Sequence, residues 1–199
     1  MRRFALPAVV MAVGLGVLAV VVARNDADGS YRGMVPLDRT ELPAFTLRSH
    51  TGTPVASSAL GDRAVVITFL ESKCSEACPV IAAAIGEGMR LLSPDERRQA
   101  VALAISTHPG DDTRASVEAF LRRSRARAEL VYLVGSEDEL RPVWREFDVL
   151  SALDTGDPDL HSSPVRVYGR DGRWSSTLTA GADLTPENLR HDLLEAMTE

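Results

Sequence analysis

Uncharged residues run without a break from Phe4 to Ala23, and Arg2 and Arg3 stand before them. A helix of that length, rising 1.5 Å per residue, covers a bilayer core of about 30 Å. The apolar region of a cleaved signal peptide is usually shorter. The pattern therefore predicts an uncleaved transmembrane anchor over residues 1–24, with Val21-Val22-Ala23 as the alternative cleavage site. Arginines ahead of the span place the remainder outside the cytoplasm, on the periplasmic or extracellular face. The stretch NDADGSYRGMVP that follows is polar and contains glycine, so residues 25–41 are read as a flexible tether. A globular domain is expected over residues 42–199.

Within that domain the periodicities alternate. LPAFTLRSHTGTPVASSAL reads as two short strands around a turn at Thr51-Gly52. AVVITFL, Ala64 to Leu70, is continuously apolar and suits a strand buried on both faces. PVIAAAIGEGMRLL predicts a helix opening at Pro79. VALAIS and ELVYLVG read as further buried strands. Between them, Thr113 to Arg125 carries Val117, Phe120 and Leu121 on one helical face. Ser136 and Glu139 form a capping-box pattern for a helix reaching Phe147. SPVRVYGRDGRWSSTLTAG predicts a hairpin turning at Asp171-Gly172, and Thr185-Pro186 opens a closing helix. Strand–helix alternation followed by a hairpin implies an α/β fold, a central mixed sheet flanked by helices.

The chain carries a net charge of −6, with a pI near 5.3. No basic stripe with interleaved aromatics is present, which argues against a nucleic-acid partner. Both cysteines fall in ESKCSEACPV, where the apolar strand gives way to its helix. Cys78 sits at or next to a helix N-terminus, which favours a thiolate, and Cys74 is four residues earlier, in the loop or the first turn; if the segment coils, the two share a face. A structural disulfide here would close a very short loop and constrain the unfolded chain little. Two thiolates fall short of a zinc site but suit soft Cu(I). Copper would then take a further ligand, most naturally an imidazole from His50, His108, His161 or His191. His191 is expected at the surface and His50 in solvent beside a turn. His108 follows the C-terminal end of a strand, where parallel sheets gather their sites.

CSEACP, STHPGDDT and LHSSPVRVYGRDG together resemble the SCO/SenC family of the thioredoxin-like superfamily. The likeness covers the anchor and nearly all of residues 42–197. It implies a thioredoxin-like fold and a membrane-anchored copper protein. Such a protein assists assembly of the binuclear copper centre of cytochrome c oxidase. Cys74 and Cys78 match the family's C-x-x-x-C-P thiolates, and LHSSPV carries the third copper-ligand role onto His161. The implied partner is the oxidase's copper-binding subunit or another copper or thiol protein.

The chain departs from the family at several positions. Leu160 replaces the aspartate before the ligand histidine, and such neighbours orient ligating imidazoles. His108 replaces an aspartate, which makes it a replacement or extra ligand candidate. Pro164 stands near the place of the thioredoxin cis-proline. An alternative function is thiol–disulfide exchange, with Cys74 attacking and Cys78 resolving. The peroxiredoxin pattern is not met, since Glu71 and Ile67 occupy its threonine and proline positions.

Overall fold

The computed structural model describes residues 30–156 and 162–199. Among them lies one sheet of seven strands: β1 (Thr46–Ser49), β2 (Pro54–Ala56), β3 (Ala64–Leu70), β4 (Ala100–Ser106), β5 (Leu130–Val134), β6 (Val165–Tyr168) and β7 (Trp174–Leu178). Their order is β2-β1-β5-β4-β3-β6-β7. β3, β4 and β5 run parallel; β1 and β6 join them antiparallel. The mixed sheet matches the expected fold class.

The continuous apolar run of β3 is explained by its position. Its alternate residues Ala64, Val66 and Leu70 enter the core on one face, and Val65, Ile67 and Phe69 enter the other. On the first face pack the long helix α1 (Ala77–Leu91) and, further on, α3 (Arg114–Arg123) and α6 (Pro186–Ala196). On the second lies α4 (Glu137–Glu146), through Leu140 and Trp144. Each fully buried side chain of this kind, such as Ile81 or Phe120, contributes about 1.5–3 kcal/mol. Ser136 and Thr185 cap their helices as the sequence implies, and Thr113, read as the first residue of its helix, is its N-cap.

The structure revises several expectations. α1 begins at Ala77, with Glu76 at the N-cap, so Pro79 is inside the first turn rather than opening it. Its missing N–H would have had no helical partner there, and the helix tolerates it. Two short helices carry too few residues for a periodic signal: α2 (Pro94–Arg98) and α5 (Ala152–Thr155). The peptide bond before Pro164 is trans. Among the described residues no helix is long and apolar enough to cross a membrane; the expected anchor over residues 1–24 lies outside them.

Residues 31–41, read as tether from their polarity, are laid along the sheet edge. Met34 exchanges both backbone hydrogen bonds with Thr177, at 2.8 and 2.9 Å, and Glu41 bridges to Arg173. The carboxylate of Asp192, fully buried on α6, gathers this segment. It accepts from the N–H of Arg32 (2.6 Å), the N–H of Gly33 (3.1 Å) and the hydroxyl of Ser176 (2.6 Å). Gly33 lies so close to β7 that a Cβ there would sit 2.5 Å from the Thr177 carbonyl oxygen. The folded unit therefore begins near Tyr31, not Leu42.

Candidate metal centre

β3 ends at Leu70, and the chain turns sharply through residues 71–76 into α1. The start of that turn is buried, with Glu71 and Ser72 at 0 and 1% exposure, so its backbone groups need partners. Asp112 supplies one: its Oδ1 accepts the Ser72 N–H at 2.7 Å. Its Oδ2 lies 2.8 Å from the Tyr132 hydroxyl, which also reaches the Leu70 carbonyl at 2.7 Å. Arg123 supplies another from α3, donating to the carbonyls of Ser72 (2.6 Å) and Cys74 (3.2 Å). Its guanidinium rests 4.9 Å above the Phe120 ring. Lys73 pairs with Asp111. Burial raises the Asp112 carboxyl above the usual range, opposed by the hydrogen bonds it accepts. The Lys73 hydrogen bond holds the Asp111 carboxyl below its ordinary value.

The cysteines occupy the start of this helix. Cys74 and Cys78 are both buried and are not joined in a disulfide. The Cys78 N–H points at Cys74 Sγ, 3.4 Å away, so the loop cysteine lies against the first turn that carries the other. Burial, then the hydrogen bond with Cys74, push the Cys78 thiol far above its ordinary value. The helix N-terminus, expected to favour a thiolate, is outweighed by desolvation. Two adjacent, reduced, soft donors fit Cu(I) by chemistry. An open groove of about 770 Å³, lined by Ser72, Lys73, Ser75, Pro79, Ser116 and Arg123, runs beside the loop.

The histidines divide. His161 lies outside the described residues. His50 is half-buried after β1, its N–H bonded to the Tyr132 carbonyl at 2.8 Å. His191, expected at the surface, is half-buried because its helix packs close against α1. His108 stands beside Asp111, with Nδ1 3.3 Å from Oδ2. It also lies within reach of Glu71.

The profile of the SCO1/SenC family matches residues 36–198. The chain belongs to the SCO1/SenC family. No curated protein sequence matches it significantly. Solved Sco structures share its fold. ScoI of Bradyrhizobium japonicum with copper bound has 26% identity and a TM-score of 0.66, covering 79% of this chain and 100% of that one. Apo Sco1 of Thermus thermophilus has 18% identity and a TM-score of 0.69, covering 84% and 98%. BsSco, a member of the Sco family of cytochrome c oxidase assembly proteins in which a disulfide switch was identified, has 20% identity and a TM-score of 0.68, covering 82% and 96%. In this SCO1/SenC chain the supports of the cysteine loop, Asp112, Tyr132 and Arg123, escaped the sequence reading. STHPGDDT contains Asp112, but nothing local says that its carboxylate reaches back to Ser72.

Proposed function

We propose that this SCO1/SenC protein is a membrane-anchored, extracytoplasmic copper-binding protein. It delivers Cu(I) to the copper-binding subunit of cytochrome c oxidase during assembly of the binuclear centre. The observation that carries the reading is the Cys74–Cys78 pair: two thiols not joined in a disulfide, one in the loop before a helix and one in its first turn, with the Cys78 N–H on Cys74 Sγ at 3.4 Å. His161 is the proposed third ligand. Copper is the cargo, and the protein's own work is to present the donors. Both thiols must shed their protons to bind it, so uptake strengthens as pH rises. Asp112 and Arg123 hold the loop that carries Cys74.

The test is an anaerobic Cu(I) titration of the full chain, reduced beforehand, beside Cys74→Ser and His161→Ala. One Cu(I) per chain, lost in Cys74→Ser and weakened in His161→Ala, is expected. A folded, reduced wild-type chain that takes up no stoichiometric copper rejects the reading.

A second reading is thiol–disulfide exchange on the oxidase subunit, favoured by the same reduced pair. Cys74 would attack a target disulfide as thiolate and Cys78 would resolve the mixed disulfide. Two electrons and two protons would pass to the target and leave a Cys74–Cys78 disulfide. The raised Cys78 thiol weighs against rapid resolution, since thiolate is the resolving species. His161→Ala separates the two, because copper uptake depends on it and exchange does not.

A further inference from the structure

β3 and β4 run parallel with Leu70 opposite Ser106, so the residues just beyond them emerge side by side. Glu71 comes from one strand and His108 from the other. The turn after His108 folds back through hydrogen bonds from the N–H groups of Asp111 and Asp112 to its carbonyl, both at 3.1 Å, and this brings Asp111 alongside. One ligand atom from each of Glu71, His108 and Asp111 lies within 4.8 Å of the other two.

We propose that this cluster is a second metal site, distinct in its donors from the cysteine pair beside it, for a borderline divalent cation of the Zn²⁺ or Cu²⁺ class. The donor set is one imidazole nitrogen and two carboxylate oxygens, with no sulfur. Such a set suits borderline divalent ions and is a poor match for Cu(I). The surroundings fit a bound cation. Glu71 is 0% exposed and its carboxylate lies against that of Asp111, so a cation between them would relieve their mutual repulsion. His108 Nδ1 is shut off from solvent and makes no hydrogen bond; the atom facing it is Asp111 Oδ2. Lys73 takes Asp111 Oδ1, the other oxygen, so Oδ2 stays available. Tetrahedral donors at about 2.0–2.1 Å from Zn²⁺ stand roughly 3.3 Å apart. Closing the cluster onto an ion therefore takes a movement on the order of 1 Å. His108 and Asp111, 26 and 27% exposed, have room to make it. Water would complete the coordination.

The probe is Zn²⁺ alone, titrated by equilibrium dialysis into the full chain carrying Cys74→Ser and Cys78→Ser, with circular dichroism confirming the fold. One Zn²⁺ per chain is expected. Adding His108→Asn or Asp111→Asn, both partly exposed positions, should weaken it at least about ten-fold. Should the serine variant not fold, Co²⁺ added to the wild-type chain gives the same decision. Ligand-field bands that persist after the thiols are alkylated, and vanish in His108→Asn, support the site. A folded serine variant that binds no Zn²⁺ overturns the proposal. So does binding indifferent to both substitutions, or a cobalt spectrum that disappears entirely on alkylation. The serine background keeps this outcome independent of copper binding by Cys74 and Cys78.

Discussion

Asp112→Ala should release the cysteine loop. The carboxylate is only 5% exposed and serves two buried groups: the Ser72 N–H at 2.7 Å and the Tyr132 hydroxyl at 2.8 Å. Hydrogen bonds to a charged acceptor are worth about 1.5–3 kcal/mol each, which gives about 3–6 kcal/mol for the pair. Part of that is recovered, because the substitution also removes a carboxyl whose ionised form is penalised by burial. Tyr132 keeps the Leu70 carbonyl, whereas the Ser72 N–H loses the acceptor it has in Asp112. The net cost should be about 2–4 kcal/mol, which lowers the Tm by roughly 5–15 °C for a domain of this size. Asp112→Asn keeps an oxygen for Ser72 and an amide for the tyrosine oxygen, and should cost under about 1 kcal/mol. The assays are urea unfolding and the alkylation rate of Cys74, which is 3% exposed in the intact loop. The alanine variant should be less stable and react faster, with asparagine close to wild type. An alanine variant of wild-type stability, or an asparagine variant as damaged as alanine, would refute the claim that these hydrogen bonds hold the loop.

Arg123→Met keeps the stem over Phe120 but loses the hydrogen bonds to the Ser72 and Cys74 carbonyls. Being partly exposed, it should cost only about 1 kcal/mol yet quicken Cys74 alkylation; an unchanged rate would show that Arg123 does not restrain the loop. Cys78 should make stability fall in mild alkali. Its folded value is raised, so its contribution is full below the ordinary 9.0 and is lost as pH climbs from 9.0 towards the raised value. Unfolding followed below pH 10.0, before the tyrosines add their own slope, should show this decline in the wild type and not in Cys78→Ala. Gly33→Ala drives a Cβ into the Thr177 backbone and should cost about 1–3 kcal/mol. Limited proteolysis would then cut near residue 33, and a wild-type digestion pattern would contradict the close approach.

The elements with strong local signals could be read from the sequence. AVVITFL announces a doubly buried strand because both of its faces meet helices, and Ser136 and Thr185 announce their helices because capping is a contact three residues long. What escaped is long-range. Asp192 reaches Arg32 across 160 residues, and nothing in the polar stretch around Arg32 betrays that its amides have a buried acceptor. The helix N-terminus at Cys78 was legible, but the burial that overrides it was not. His108 could be singled out by its place after a strand. Its company with Glu71 depends on the parallel register of β3 and β4, which no local pattern encodes.

The attachment of residues 31–41 sets a mechanical constraint. Met34 pairs with Thr177, which lies abreast of Arg166 on β6 and, through it, of Ile67 on β3. Glu41 pairs at the opposite end, beside Arg173. The polypeptide is thus fastened into the domain along the outer side of β7, with Met34 level with the middle of β3 and three strand spacings, or about 14 Å, from it. A leash clipped at Met34 has a shorter radius than one clipped beyond Glu41. Extended chain covers at most about 3.6 Å per residue, so binding down eleven residues removes roughly 40 Å of reach. In the proposed anchored protein, lengthening the segment before Tyr31 would widen the zone the thiols can patrol, whereas insertions within residues 31–41 would first have to tear the strap from Asp192.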